Sequence, residues 1–123
     1  FIRMQILAGK DWKTVQNHMK GYFTSDVQTQ STMLDVYQRT DYIMCPHTAV
    51  GYDGLSQYMA EYGDDVYGIV LATAHYAKFL PTVEAVIGGK VPVPLRLSEL
   101  LDKQKKSILL GTDFEGFKKF LLD

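Results

Sequence analysis

The residues Tyr67-Gly68-Ile69-Val70-Leu71, followed by Ala72-Thr73-Ala74-His75, give the strongest indication of fold class in this sequence. Residues 66–72 are rich in β-branched side chains and apolar at successive positions, as in a buried parallel strand. The residues that follow resemble a helix start, so Thr73 and His75 would lie where a strand gives way to a helix. In open α/β sheets that is the edge at which ligands bind. The sequence therefore predicts an α/β fold with a site at this edge.

Outside this stretch the pattern is mostly helical. Ser107-Ile108-Leu109-Leu110 is predicted as a short second strand, and because strands are so few we expect the sheet to be completed by residues outside this sequence. Asp11, Ser25 and Ser98 stand where helix N-caps are expected, and Gln28 gives Ser25 the spacing of a capping box. Helices are predicted over residues 1–7, 11–19, 25–39, 47–62, 82–87, 98–103 and 113–122.

The composition excludes several classes of partner. The 123 residues suit one domain. Lys and Arg number 13 against 14 Asp and Glu, a net charge of -1, which argues against a nucleic acid or a membrane surface. No run approaches the roughly 18 apolar residues that a membrane span requires. We therefore expect a folded domain with neither a nucleic-acid nor a membrane partner.

The cysteine content bears on the cellular compartment of the chain, and its first residues bear on whether it is part of a longer protein. Cys45 is the single cysteine, so no internal disulfide can form, which favours a reducing compartment such as the cytoplasm. Phe1-Ile2-Arg3-Met4 lies inside a helical pattern, without an initiator methionine or a signal segment. We therefore expect residues 1–123 to form one segment of a longer protein.

Few residues outside the strand edge have the pattern of a chemical site. Cys45, His47 and His75 are the only plausible zinc ligands, and they lack a second cysteine pair or an HExxH pattern, so no metal is expected. A Cys–His nucleophile is also disfavoured, because Pro46 has no amide hydrogen for an oxyanion hole. Lys78 is expected to be a solvated surface lysine. His47 is expected to cap a helix or to lie in the core, and no residue is predicted to be catalytic.

Two ordered motifs resemble those of one enzyme family. The runs Cys45-Pro46-His47-Thr48-Ala49-Val50-Gly51 and Ala72-Thr73-Ala74-His75-Tyr76-Ala77-Lys78-Phe79 are similar to the C-terminal part of threonine synthase. That family usually reads Asp-Pro-His-Thr-Ala-Val-Gly and then Thr-Ala-His-Pro-Ala-Lys-Phe. Cys45 thus stands in place of an aspartate and Tyr76 in place of a proline. The resemblance extends to Phe1-Ile2-Arg3, to Pro92-Val93-Pro94 and to the last predicted helix, and so covers most of the chain.

The resemblance implies a fold, a cofactor and a reaction. Threonine synthase is a pyridoxal-phosphate enzyme of the tryptophan-synthase-β-like fold, fold type II, and it converts O-phospho-L-homoserine and water to L-threonine and phosphate. By resemblance Thr73 is the cofactor-binding residue, its hydroxyl bonding to the pyridine nitrogen. The lysine that binds the cofactor and the glycine-rich phosphate loop of the family have no counterpart here. The chain is therefore expected to be a C-terminal segment, inactive alone, whose partner is the N-terminal remainder of the enzyme.

Two other interpretations remain open at this point. A threonine at the end of a strand is often only the cap of the next helix, and Thr73 would then belong to a non-catalytic α/β interaction module with structural histidines. The chain could also belong to a related pyridoxal-phosphate enzyme, such as a serine or threonine dehydratase. The sequence assigns no role to His47, His75 or Lys78.

Overall fold

The computed structural model describes residues 1–63 and 65–122, and within those ranges every regular element is a helix. Residues 76–79 form a 3₁₀ helix, η1, and the described α-helices are seven. In chain order they are α1 (Ile2–Leu7), α2 (Trp12–His18), α3 (Asp26–Thr40), α4 (Pro46–Tyr62), then η1 (Tyr76–Phe79), α5 (Leu80–Ile87), α6 (Leu95–Leu101) and α7 (Phe114–Leu122).

The predicted α/β class is wrong, because neither predicted strand exists in the described chain. In residues 66–72 the side chains of Tyr67, Ile69 and Leu71 are 104%, 83% and 76% exposed, and no backbone hydrogen bond joins this segment to another described part of the chain. The second predicted strand, residues 107–110, is also exposed. Strand propensity reflects how side chains pack on a paired, half-buried sheet. The described chain offers these residues no neighbouring strand, so their propensity is not realised.

Two of the three helix N-caps predicted from the sequence are present in the structure. Asp11 caps α2 as predicted, its carboxylate accepting the Thr14 amide at 2.8 Å. The capping box of α3 is also confirmed, since Ser25 and Gln28 each bond to the other's backbone amide. The cap predicted at Ser98 is wrong: α6 begins at Leu95, after a proline N-cap, and the Ser98 hydroxyl donates to the Leu95 carbonyl at 2.8 Å.

The chain divides into two compact units, Phe1–Pro92 and Val93–Asp123. In the first unit α3 packs on α4 and α5, and η1 packs on α5. The core of that unit lies at these contacts and contains Met33, Val36, Met44, Ala49, Val83 and Val91. The second unit contains α6 and α7, and its described residues include no buried side chain. The candidate site residues all lie in the first unit.

An ion pair ties the C-terminal half of α5 to the loop that follows it. The ammonium group of Lys90 lies 2.7 Å from the Glu84 carboxylate, and this hydrogen bond holds the pKa of Glu84 below its ordinary value. A carboxyl group with a lowered pKa in the folded chain stabilises the fold only while it is ionised. The stabilisation is therefore present above the ordinary carboxyl pKa and is lost as pH falls through the lowered value.

We expect Glu84→Gln to be slightly less stable than the wild-type chain near pH 7, because exposed ion pairs contribute little. The difference should disappear near pH 2, where the wild-type carboxyl is protonated as well. Urea unfolding at both pH values measures it. Lys90→Met is the matched variant, and it should show the same dependence. A Glu84→Gln effect of equal size at both pH values would contradict the assignment.

Candidate functional site

The non-helical segment between α4 and η1 packs one face against α4. A Cβ atom placed on Gly68 would collide with the side chain of Leu55, and one placed on Gly51 would lie 3.5 Å from Val70. Gly68 and Val70 therefore face α4. The alternate residues, Tyr67, Ile69 and Leu71, are exposed. This alternation is that of an extended backbone. Thr73 falls in the register of the outward residues.

Thr73 is exposed, and the start of η1 tests the capping role that the sequence left open for it. The N-cap of η1 is His75 rather than Thr73, so the capping role for Thr73 is wrong. We call residues 73–77 the corner. Within the described residues the Thr73 hydroxyl takes no part in the hydrogen bonds that hold the corner in place. A hydroxyl both donates and accepts hydrogen bonds, so this group can bond to a partner outside the described residues.

His75 is held by the residues that follow it. Its Nδ1 atom accepts the amide hydrogen of Ala77 at 3.1 Å, and its carbonyl accepts that of Lys78 at 3.1 Å. The ring of Tyr76 lies with its centroid 4.1 Å from the imidazole centroid. The Tyr76 hydroxyl donates to the carbonyl of Pro92 at 2.7 Å, across 16 residues of sequence. No sequence pattern predicts this bond, because the two residues are brought together only by the fold.

The two sequence motifs meet in the fold. The rings of His47 and Phe79 lie 4.9 Å apart, and the Lys78 ammonium group lies 5.6 Å from the centroid of the same Phe79 ring. His47 and Lys78 are both exposed. Residues of both motifs also line a cavity of about 300 Å³, Cys45 from the first motif and His75 from the second. Tyr42 and Ile43 line the same cavity and were not singled out from the sequence.

The start of α4 differs slightly from the prediction. The helix begins at Pro46, one or two residues before the predicted starts at His47 or Thr48. Proline is well suited to the first helical position because its fixed φ fits the helix and its missing amide hydrogen is not needed there. Cys45 is the N-cap, and its buried thiol lies 3.2 Å from the hydroxyl of Thr48. His47 is neither a core residue nor a capping group.

The described residues offer neither a grouped set of metal ligands nor a membrane-spanning helix. Across residues 1–63 and 65–122, no three His, Cys, Asp or Glu side chains are grouped so that they could hold a metal ion. Over the same described ranges, no helix has the length and the apolar character needed to cross a bilayer.

Comparison with known proteins identifies related sequences. Residues 48–121 match the family model described as "Threonine synthase, C-terminal". Threonine synthase of Escherichia coli K12 is 32% identical over 103 residues, which are 84% of this chain and 23% of the relative. Threonine synthase of Serratia marcescens is 36% identical over 98 residues, which are 80% of this chain and 22% of the relative. The chain thus spans less than a quarter of the length of these curated relatives.

A solved structure supports the same relation. The crystal structure of threonine synthase from Escherichia coli superposes on this chain with a TM-score of 0.66 at 30% identity. The superposition covers 90% of this chain and 27% of that one.

Proposed function

The chain belongs to the threonine synthase family, in its C-terminal region, and we propose that it forms one wall of an active site that converts O-phospho-L-homoserine and water to L-threonine and phosphate. The observation that carries this proposal is the family match over residues 48–121, which contains Thr73. The fold adds support, because it brings the two motifs together at Phe79. Alone, the chain is expected to be inactive.

We propose pyridoxal 5'-phosphate as the cofactor and Thr73 as the residue that contacts it. When bound, the cofactor supplies an electron sink for the reaction. The Thr73 hydroxyl would donate a hydrogen bond to the pyridine nitrogen, and the exposure of this side chain supports the assignment. A neutral hydroxyl leaves that nitrogen unprotonated, whereas a carboxylate would hold it protonated. Thr73 would thereby both orient the ring and moderate its electron withdrawal.

We propose that the partner of this chain is the region of the enzyme that carries the cofactor-binding lysine and the phosphate loop. Tyr67, Ile69 and Leu71 form an exposed apolar strip, defined by these three residues, that continues in register to Thr73. A contiguous exposed apolar surface of this kind marks an interaction site. Docking on this strip would bring the Thr73 hydroxyl to the cofactor. The enzyme is proposed to be cytoplasmic, because Cys45 is the only cysteine of this chain and so no disulfide can form within it.

Thr73→Val tests the cofactor contact, because valine keeps the shape of threonine and removes its hydroxyl. In the whole enzyme that carries this chain, we expect cofactor affinity to fall about fivefold, the equivalent of one hydrogen bond of about 1 kcal/mol. The absorbance band of the bound cofactor should shift as well. Thr73→Ser, which keeps a hydroxyl, should retain most of the wild-type affinity. Unchanged affinity, spectrum and threonine formation in Thr73→Val would favour a non-catalytic interaction module instead.

A further inference from the structure

We propose that Tyr76 is a positioning residue, which holds the His75 imidazole in the tautomer that carries its hydrogen on Nε2, at the corner beside Thr73. The corner itself is a property of this chain. Only its use by a bound ligand rests on the proposed function.

The tautomer follows from the hydrogen bond at the start of η1. The Ala77 amide donates to Nδ1 of His75 at 3.1 Å, and a ring nitrogen that accepts a hydrogen bond carries no hydrogen of its own. In the neutral imidazole the hydrogen is therefore on Nε2. Because Ala77 is buried and its amide lies within the corner, the bond also fixes which edge of the ring turns away from η1.

Tyr76 restrains this ring through two contacts. Its own ring lies 4.1 Å from the imidazole, centroid to centroid, at an interplanar angle of 35°. Its hydroxyl donates to the Pro92 carbonyl at 2.7 Å, so the tyrosine is anchored on the connector that follows α5. Rotation of the His75 side chain would separate the stacked rings. Movement of Tyr76 would break the bond to Pro92.

The backbone shows why a tyrosine can stand where the related motif has a proline. A proline would restrict the preceding residue to extended backbone, with ψ between about +120° and +160°. His75 has φ -69° and ψ 142°, within that ψ range, although Tyr76 imposes no such restriction. Extended backbone is also usual for the N-cap of a helix, which His75 is, and the side-chain contacts of Tyr76 act in addition to that cap. The corner then presents two exposed donors, the Thr73 hydroxyl and the Nε2 hydrogen of His75.

Nitrogen-15 NMR of the full chain without cofactor tests the proposal directly. In the wild-type chain we expect a non-protonated Nδ1 resonance and a protonated Nε2 resonance for His75. Tyr76→Ala should give a mixture of tautomers and at least about fivefold faster hydrogen exchange of the Ala77 amide, as for the loss of one hydrogen bond. Tyr76→Phe, which keeps the ring and loses the hydroxyl, should show a smaller acceleration.

Two further variants separate positioning from general destabilisation. Tyr76→Pro should restore slow exchange of the Ala77 amide, because proline imposes the same backbone on His75. Tyr67→Phe, at a fully exposed tyrosine, should change neither measurement. A single Nε2–H tautomer and unchanged Ala77 exchange in Tyr76→Ala would overturn the proposal. Since no cofactor is present, that failure would leave the proposed function untouched, whereas an unchanged Thr73→Val enzyme would refute the proposed cofactor contact of Thr73 and leave the contacts of His75 and Tyr76 intact.

Discussion

Exchange of Ile69 for aspartate is expected to lower threonine formation by the whole enzyme by roughly two orders of magnitude while leaving this chain folded. Ile69 is 83% exposed here, at the centre of the apolar strip that we propose as the docking surface. If the cofactor-carrying region covers the strip, the substitution places an unpaired carboxylate in a buried interface. Such a charge costs about 3 kcal/mol or more, which weakens docking by roughly 150-fold.

A matched substitution distinguishes a docking effect from a general effect of added charge. Val27, 78% exposed near the start of α3, is another apolar residue on the surface of the first unit. Val27→Asp should leave threonine formation close to the wild-type rate. Thermal unfolding of the chain alone should differ little between either variant and the wild type, because both positions are exposed. Wild-type activity of Ile69→Asp would show that the strip stays in solvent and that the partner docks elsewhere.

Val83→Ala is expected to lower the free energy of unfolding of the chain by about 2 to 3 kcal/mol, by loss of buried methyl groups and formation of a cavity. Val83 is 0% exposed and is one of the two largest side chains that are fully buried. The loss is a large part of the 5 to 15 kcal/mol typical of a folded domain. Urea unfolding measures the change, and Val27→Ala on α3 is the control, expected to change the stability by at most about 0.5 kcal/mol.

The position of Val83 also connects stability to the candidate site. It belongs to the core cluster against which Tyr76 and Phe79 pack, and α5 follows η1 directly. Loosening of the core is therefore expected to loosen the corner at His75. In Val83→Ala, hydrogen exchange of the Ala77 amide should accelerate together with global unfolding. A loss below about 0.5 kcal/mol would mean that the surrounding helices close the cavity almost completely.

Features determined by neighbouring residues could be predicted from the sequence. The Asp11 cap and the Ser25–Gln28 capping box each join residues three positions apart. Such contacts form whenever the helix forms, so their pattern is visible in the sequence. Gly63 likewise ends α4, as its position predicts. The Ser98 cap was wrong because Pro94, four residues earlier, is already the N-cap of α6.

The helical character of most of the chain, its two motifs and, through them, its family could be predicted from the sequence. Three features depend on tertiary packing: the exposure of the apolar strip, the capping of η1 by His75 rather than Thr73, and the bond from Tyr76 to Pro92. The difference lies in the range of the interactions. A helix satisfies its backbone within a few residues, whereas a strand depends on a partner that its own residues do not specify. A contact across 16 residues likewise depends on how the intervening helix packs.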